Sequence, residues 1–274
     1  MKYYQVAAPP ALAKYVRFFW VLEGELAAGN SYTHRSMADG SAEMIFHYKG
    51  LFDTLTDPAV SAPALRSGVD AQSRRFRRYQ THESFGIFGA YLYPFAIPAL
   101  LGHSAAALSD QMPDLHSLLG QAGKDLEEQI MLAKGNQQRV DILSGFLLNR
   151  LLKKRLADPA IFSSISYIIQ TRGTMDVAQL ASQYYLSTRQ FERNFKQFAG
   201  FSPKLYSRII RFQSAIAQYG HSGKSLTAIA YDCGYYDQSH FIHDFKEFSG
   251  LHPRHYFGGM TESTVWKEQP GGKE

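Results

Sequence analysis

Arg189, Glu192, Arg193 and Lys196 lie at helical spacing along a run whose other side carries Phe191, Phe195 and Phe198. On a helix narrow enough to enter a DNA major groove, such side chains have a definite chemistry: Arg can hold guanine by two bonds, Glu can accept from cytosine, and Lys suits phosphate. Further along, Phe241, Phe245 and Phe248 form a second stripe, and the side away from it shows Gln238, Ser239, Ile242, His243 and Lys246, a less charged set. Most charged helix faces only meet water. Repetition separates these two from that rule: Phe191, Phe195, Lys196, Phe198, Gly200 and Pro203 recur fifty positions on as Phe241, Phe245, Lys246, Phe248, Gly250 and Pro253.

The elements that must hold these faces are legible around them. Before each stripe lies a short Ala-containing segment, Val177 to Ala181 and Leu226 to Ala230, forty-nine positions apart, so one residue is inserted between the halves of the second copy. A tight turn between two helices absorbs one residue, where a helix would rotate a face out of register. Asp176 caps the first helix, Leu186 fills the turn, and Ser187 with Gln190 forms a capping box opening the second. Gly200 stops it, and Ser202 with Pro203 opens a further helix. In the second copy Gly234 permits the turn, Asp237 caps and Gly250 stops. Two helix-turn-helix units are therefore expected, with the helix from Pro203 to Tyr219 between them presenting Leu205, Ile209, Phe212 and Ile216 to a core.

Ile165 to Tyr256 resembles the DNA-binding domain of the AraC/XylS family of transcription regulators. The match rests on Ala228-Ile229-Ala230, Cys233-Gly234-Tyr235, Asp237-Gln238-Ser239-His240-Phe241, Phe245-Lys246, and Phe248-Ser249-Gly250-Leu251 with Pro253. The resemblance implies base contacts from Arg189, Glu192 and Arg193 and from Gln238, Ser239 and His243, with Lys196 and Lys246 on the same faces. It also implies two helices in successive major grooves, about 34 Å apart. Relatives often carry Arg where this chain has His243, and an imidazole replaces a charge-assisted fork with one weaker bond, so second-unit readout is expected to be the weaker.

Composition agrees. The chain of 274 residues is 45% hydrophobic, enough for two ordinary cores, and has no apolar run of membrane length or signal-peptide pattern, which points to the cytoplasm. Cys233 is the only cysteine and excludes an internal disulfide. The net charge is +5 and the pI about 9.1; residues 161 to 260 hold ten Lys or Arg against six Asp or Glu, which suits a polyanion partner.

The first stretch reads as β-rich. Phe18 to Leu22, Met44 to Tyr48 and Phe85 to Leu92 are expected strands, Asp39-Gly40-Ser41 is a turn, and Thr54 to Asp70 reads as loop. Glycines in the third strand mark a bulge or a close backbone approach. Pro10-Ala11-Leu12, Tyr15-Val16, Phe19-Trp20, Asp39-Gly40 and Tyr93-Pro94 resemble, more loosely, N-terminal domains of a subgroup of the same family, which implies a cupin-like β-barrel that binds an effector or supports dimerisation. Trp20, Phe46, Tyr48, Phe88 and Tyr91 are the candidate pocket residues for an apolar or planar small molecule, with ordinary core as the bland alternative. Arg74-Arg75-Phe76-Arg77-Arg78 reads as a solvated edge or loop, or a grip for phosphate or an acidic effector.

From Pro98 to Asp158 the pattern is helical: Asp114 caps one helix, Asp125 to Ala133 forms another, and Gln137 to Ala157 carries Val140, Leu143, Leu147 and Leu151 on one stripe. That stripe is expected on the β domain or on a second copy of the chain. The linker is expected at Ala157 to Phe162.

The fold class expected is α+β in two domains. Residues 1–157 form the effector-binding and dimerisation domain, β-rich over 1–97 and helical over 98–157; residues 158–260 form the all-α DNA-binding domain; residues 261–274 are a tail. A cupin-like metal-dependent enzyme fused to a DNA-binding module is the alternative. His34, His47, His82 and His103 stand singly in the sequence, and no nucleophile elbow, phosphate-binding glycine loop or zinc-helix motif is present, so no catalytic residue, metal or cofactor is expected. The partners expected are double-stranded DNA, a small-molecule effector, a second copy, and RNA polymerase if the protein is an activator, with no membrane.

Overall fold

The computed structural model describes residues 1–57, 60–62, 65–153, 159–218, 224–257 and 262. In chain order the strands are β1 (Lys2–Ala7), β2 (Val16–Gly24), β3 (Tyr32–Ser36), β4 (Ala42–Lys49), β5 (Asp53–Asp57), β6 (Val60–Ala62), β7 (Ser67–Asp70), β8 (Arg77–Thr81) and β9 (Phe85–Leu92). A wide helical turn over Ile97–Leu101 leads into α1 (Ala105–Leu108), α2 (Leu115–Leu119), α3 (Gln121–Leu132) and α4 (Asn136–Leu152). Then come α5 (Pro159–Gln170), α6 (Val177–Gln183), α7 (Thr188–Ala199), α8 (Pro203–Gln218), α9 (Leu226–Asp232), α10 (Gln238–Ser249) and α11 (Pro253–Phe257). No helix among the described residues is long and apolar enough to cross a membrane.

The strands form two antiparallel sheets, ordered β1-β2-β9-β4-β7 and β3-β8-β5-β6. All of β9 is buried, because both faces of the larger sheet are covered. Its inner face puts Trp20, Leu22, Phe85, Ile87 and Tyr91 with Phe52 into a small core beneath the second sheet. Its outer face puts Phe19, Met44, Phe46, Phe88 and Leu92 into a large core shared with the helices. The strand glycines serve close approach: a Cβ on Gly89 would meet the Trp20 ring at 2.6 Å, and one on Gly86 would strike the Tyr48 ring. The register shift between His47 and Lys49 falls opposite Gly86, so that glycine faces a bulge as well, while the other shift lies between Val16 and Phe18.

Several expectations are corrected. The described residues of Thr54 to Asp70 are largely strand rather than loop, for β5 runs into it and β6 and β7 follow; small and polar residues suffice where a short strand has neighbours to pair with. β1 and β3 escaped the pattern altogether. The arginine run straddles a boundary, its last two residues opening β8, and Arg77 is drawn inward to pair with Asp70. The expected linker is helical from Pro159, while residues 157 and 158 lie outside the described ones, as does the tail except Glu262. The stripe of α4 takes the first of its two expected places, within the chain: Val140, Leu143 and Leu147 belong to the large core shared with the sheet, with Leu151 packed against it.

That core is continuous from the outer sheet face to the C-terminal helices. Phe162 of α5 joins the two regions, stacking on Phe95 at 4.5 Å and meeting Tyr15 at 6.5 Å and Phe198 of α7 at 5.5 Å edge-on.

Candidate nucleic-acid interface and inter-sheet cavity

Each C-terminal unit is a short helix, a turn and a longer helix: α6 with α7, and α9 with α10. Asp176 Oδ1 accepts from the amides of Ala178 and Gln179, and the Ser187–Gln190 capping box forms in both directions. Asp237 caps α10 through the amide of His240 at 2.7 Å. Each such cap is worth about 1 kcal/mol. The rings of Phe191, Phe195, Phe241, Phe245 and Phe248 are fully buried, and Phe198 turns its edge to Phe162. α8 packs against α7, α9 and α10, so one rigid element positions both units.

The opposite faces are open. Arg189, Glu192, Arg193 and Lys196 are exposed, as are Ser239, His243 and Lys246, while Gln238 is half-buried. The second face has an acidic neighbour: Asp244 is fully buried, held at 2.7 Å by Arg208, which also reaches Glu247 at 2.6 Å. His243 Nδ1 stands 3.6 Å from Asp244. His243, Asp244 and Glu247 are, among the described residues, the group whose ligand atoms lie within 4.8 Å of one another, but Arg208 already bridges both carboxylates.

The N-terminal region grips the matching end of each long helix. Gly200 and Gly250 end α7 and α10 at φ +87° and +72°. Ser109 Oγ donates to Gly200 O at 3.0 Å, and a Cβ on Gly200 would meet that hydroxyl at 2.5 Å. Phe76 lies flush on Gly250, where a Cβ would strike its ring. Arg35 donates to Ser249 O at 3.1 Å, stacks on Phe76 at 4.6 Å and pairs with Glu262 at 3.1 Å, and the Ala38 amide donates to Phe248 O at 3.0 Å. Gly40 faces Tyr206 so closely that a Cβ would come within 2.8 Å of the ring.

Between the sheets lies a cavity of about 50 Å³, lined by Trp20, Leu22, Ile45, Phe52, Ile87 and Met112 on its apolar side and by His34, Ser36, Glu43, His47, Asp70 and Tyr79 on its polar side. His47 Nδ1 lies 2.8 Å from Leu65 O and so carries the proton, which leaves Nε2 as an acceptor; burial pushes its pKa down to about 4. Arg77 pairs with Asp70, and the Tyr79 hydroxyl donates to the same carboxylate at 3.2 Å.

Of the expected pocket residues, only Trp20 lines this cavity. Phe46 and Phe88 are corrected to outer-face core residues, 6.1 Å apart, and Tyr48 shares their parity on β4, with its hydroxyl on Glu23 and the Arg139 guanidinium 3.8 Å above its ring. Tyr91 is on the inner side but turned to Asp39, with Phe18 stacked on it at 5.0 Å. Alternation from Ile45 assigns Glu43 and His47 to the inner face and was the available signal. The fold also brings together His34 and His47, which stand apart in sequence, because β3 and β4 contribute to opposite sheets.

Residues 180–258 match the family model of a helix-turn-helix domain, and residues 4–114 match a domain of unknown function (DUF6597). An uncharacterized HTH-type transcriptional regulator of Haemophilus influenzae is 29% identical over 136 residues, covering 44% of this chain and 46% of the relative. The HTH-type transcriptional activator RhaS of Escherichia coli O157:H7 is 37% identical over 75 residues, 27% of each chain. The chain thus spans less than half the length of these relatives. A crystal structure of ToxT from Vibrio cholerae O395 covers 89% of this chain and 99% of its own, with a TM-score of 0.49 and 14% identity. The C-terminal region of this chain thus matches a helix-turn-helix domain, as its two short-helix, turn and long-helix units have it.

Proposed function

We propose that this chain is a sequence-specific DNA-binding transcription regulator whose inter-sheet cavity receives a small effector. The observation that carries the reading is the matched pair of exposed faces, on α7 and α10, mounted on the single helix α8. Arg189, Glu192 and Arg193 read bases in the first unit, Gln238, Ser239 and His243 in the second, and Lys196 and Lys246 hold phosphate. No residue is assigned a catalytic role.

The route from cavity to DNA follows from the contacts. Ser36 lines the cavity, while its neighbour Arg35 holds Ser249; Asp70 lines it, while Gln72 lies beside Gly200. A ligand that moves β3 or β7 therefore acts on the ends of both reading helices, provided its affinity differs between the two arrangements. Pairing of two copies, and contact with RNA polymerase on activation, belong to the same proposal.

Selection of bound DNA from a random pool by the purified protein tests the reading. Two conserved half-sites per recovered duplex are expected, and their tandem or inverted order reports whether copies pair; recovery of no enriched sequence overturns the reading. A second reading, a metal-dependent enzyme between the sheets, has less behind it: His34, His47, Glu43 and Asp70 line one cavity, but among the described residues their ligand atoms do not form a group within 4.8 Å, and Asp70 is held by Arg77 and Tyr79. Stoichiometric metal in the purified protein would support it.

A further inference from the structure

The internal duplication supplies a control for one unusual residue. At the turn of the second unit Gly234 has φ +75°, its amide donating to Tyr231 O and the following Tyr235 amide to Ala230 O at 3.0 Å. The first unit makes the same two bonds, Tyr185 to Ser182 O at 3.1 Å and Leu186 to Ala181 O at 3.4 Å, with Tyr185 at φ +55° in the place of the glycine. A bulky residue is disfavoured in the left-handed region, and here the side chain recovers nothing from the fold, for Tyr185 is 99% exposed. The residue inserted into the second copy falls between Tyr235 and the cap Asp237, which identifies it as Tyr236, and it too is almost bare, at 87%. One unit thus places a tyrosine where a glycine would serve, the other adds one by insertion, and both rings end up in solvent immediately before a reading helix.

Such a ring has no packing role, so its use lies with whatever meets this surface. The first turn of α7 and of α10 is the part that enters the groove in the proposed complex, which sets the preceding turn against the sugar-phosphate strand at the groove edge. A tyrosine hydroxyl is a suitable neutral donor to a phosphate oxygen. We infer that Tyr185 and Tyr236 are a matched pair of phosphate contacts, one for each half-site, adding affinity without reading sequence. The inference rests on the DNA-binding reading above.

The test measures binding by the full chain to the duplex recovered by selection and to a duplex of unrelated sequence, each at two salt concentrations. Tyr185→Phe and Tyr236→Phe should each weaken binding about threefold to tenfold on both duplexes, and the double variant by the product. The salt slope should stay at the parent's value because no cation is removed, whereas Lys196→Ala should flatten it. Tyr185→Asn, which tolerates the left-handed turn, should melt with the parent yet bind more weakly. Leu132→Ala, 73% exposed on α3, serves as the surface control and should change nothing. A double Phe variant within twofold of the parent on both duplexes overturns the inference, as does a large drop in melting temperature for Tyr185→Asn. A parent that binds neither duplex removes the DNA-binding reading itself.

Discussion

The two helix-turn-helix units keep the same interior and differ around it. Both bury a phenylalanine stripe, cap the long helix with a side-chain oxygen and stop it with a left-handed glycine. Outside that frame the first unit shows an open arginine-rich face, while the second has Asp244 buried beneath its face where the first has Asn194. The anchoring differs too. Gly200 meets a serine hydroxyl, whereas the end of α10 is held by Arg35, Phe76 and the Ala38 amide together. Duplication preserves what folding needs and frees the rest, so the two copies differ in their exposed faces and in how the N-terminal region holds the end of each long helix.

The largest expected effect tests the buried difference. Arg208→Ala leaves the Asp244 carboxylate in the interior without its guanidinium and should cost about 3–5 kcal/mol in urea denaturation. Asp244→Asn installs the first unit's residue at the equivalent place and removes the charge with the need for its partner, so it should cost much less. Equal losses would mean that the ion pair is not what sets the second unit apart.

Next comes the anchoring. Gly250→Ala must displace the Phe76 ring as well as strain the turn and should cost about 2–3 kcal/mol, against about 1–2 kcal/mol for Gly200→Ala, where the turn is strained alike but the neighbours are the Ser109 hydroxyl and the end of the Gln72 side chain. Phe76→Ala made together with Gly250→Ala should recover part of the loss, since the clash partner is gone. Additive losses from Gly250 and Phe76 would show that the ring does not bear on the turn.

How much of this was open to a reader of the residues follows the range of the forces involved. Caps, turns and the phenylalanine stripe are local, and Asp176, Ser187, Gly200, Asp237 and Gly250 each stand where the pattern places them. Strand β9 was legible because its apolar run is continuous, whereas β3 and β7 were not, since their stability comes from partners far along the chain. The cavity was misread for the same reason. Aromatic character marked Phe46 and Phe88, but which face of a strand is inner depends on the second sheet, and the polar lining of His34, Glu43, His47 and Asp70 carries no local signature. The grip on Gly200 and Gly250 joins residues far apart in sequence and could not be seen before folding.

The smallest effects concern reading, and they sharpen the comparison most. If the first unit carries discrimination, Arg193→Ala should reduce the preference for the selected site over a single-base variant in its half by about tenfold to a hundredfold, the range of one good bidentate contact. His243→Ala should change preference in the other half by only a few-fold, because one imidazole bond is lost and the ring already lies beside Asp244 and Glu247. His243→Arg then becomes the decisive variant. A guanidinium there restores the fork the imidazole lacks and should raise discrimination in the second half-site, unless the two carboxylates capture it first. Gain of preference would show that the second face is weak only for want of a cation, whereas no change would mean that Asp244 and Glu247, together with Arg208, have committed this side of α10 to holding the fold.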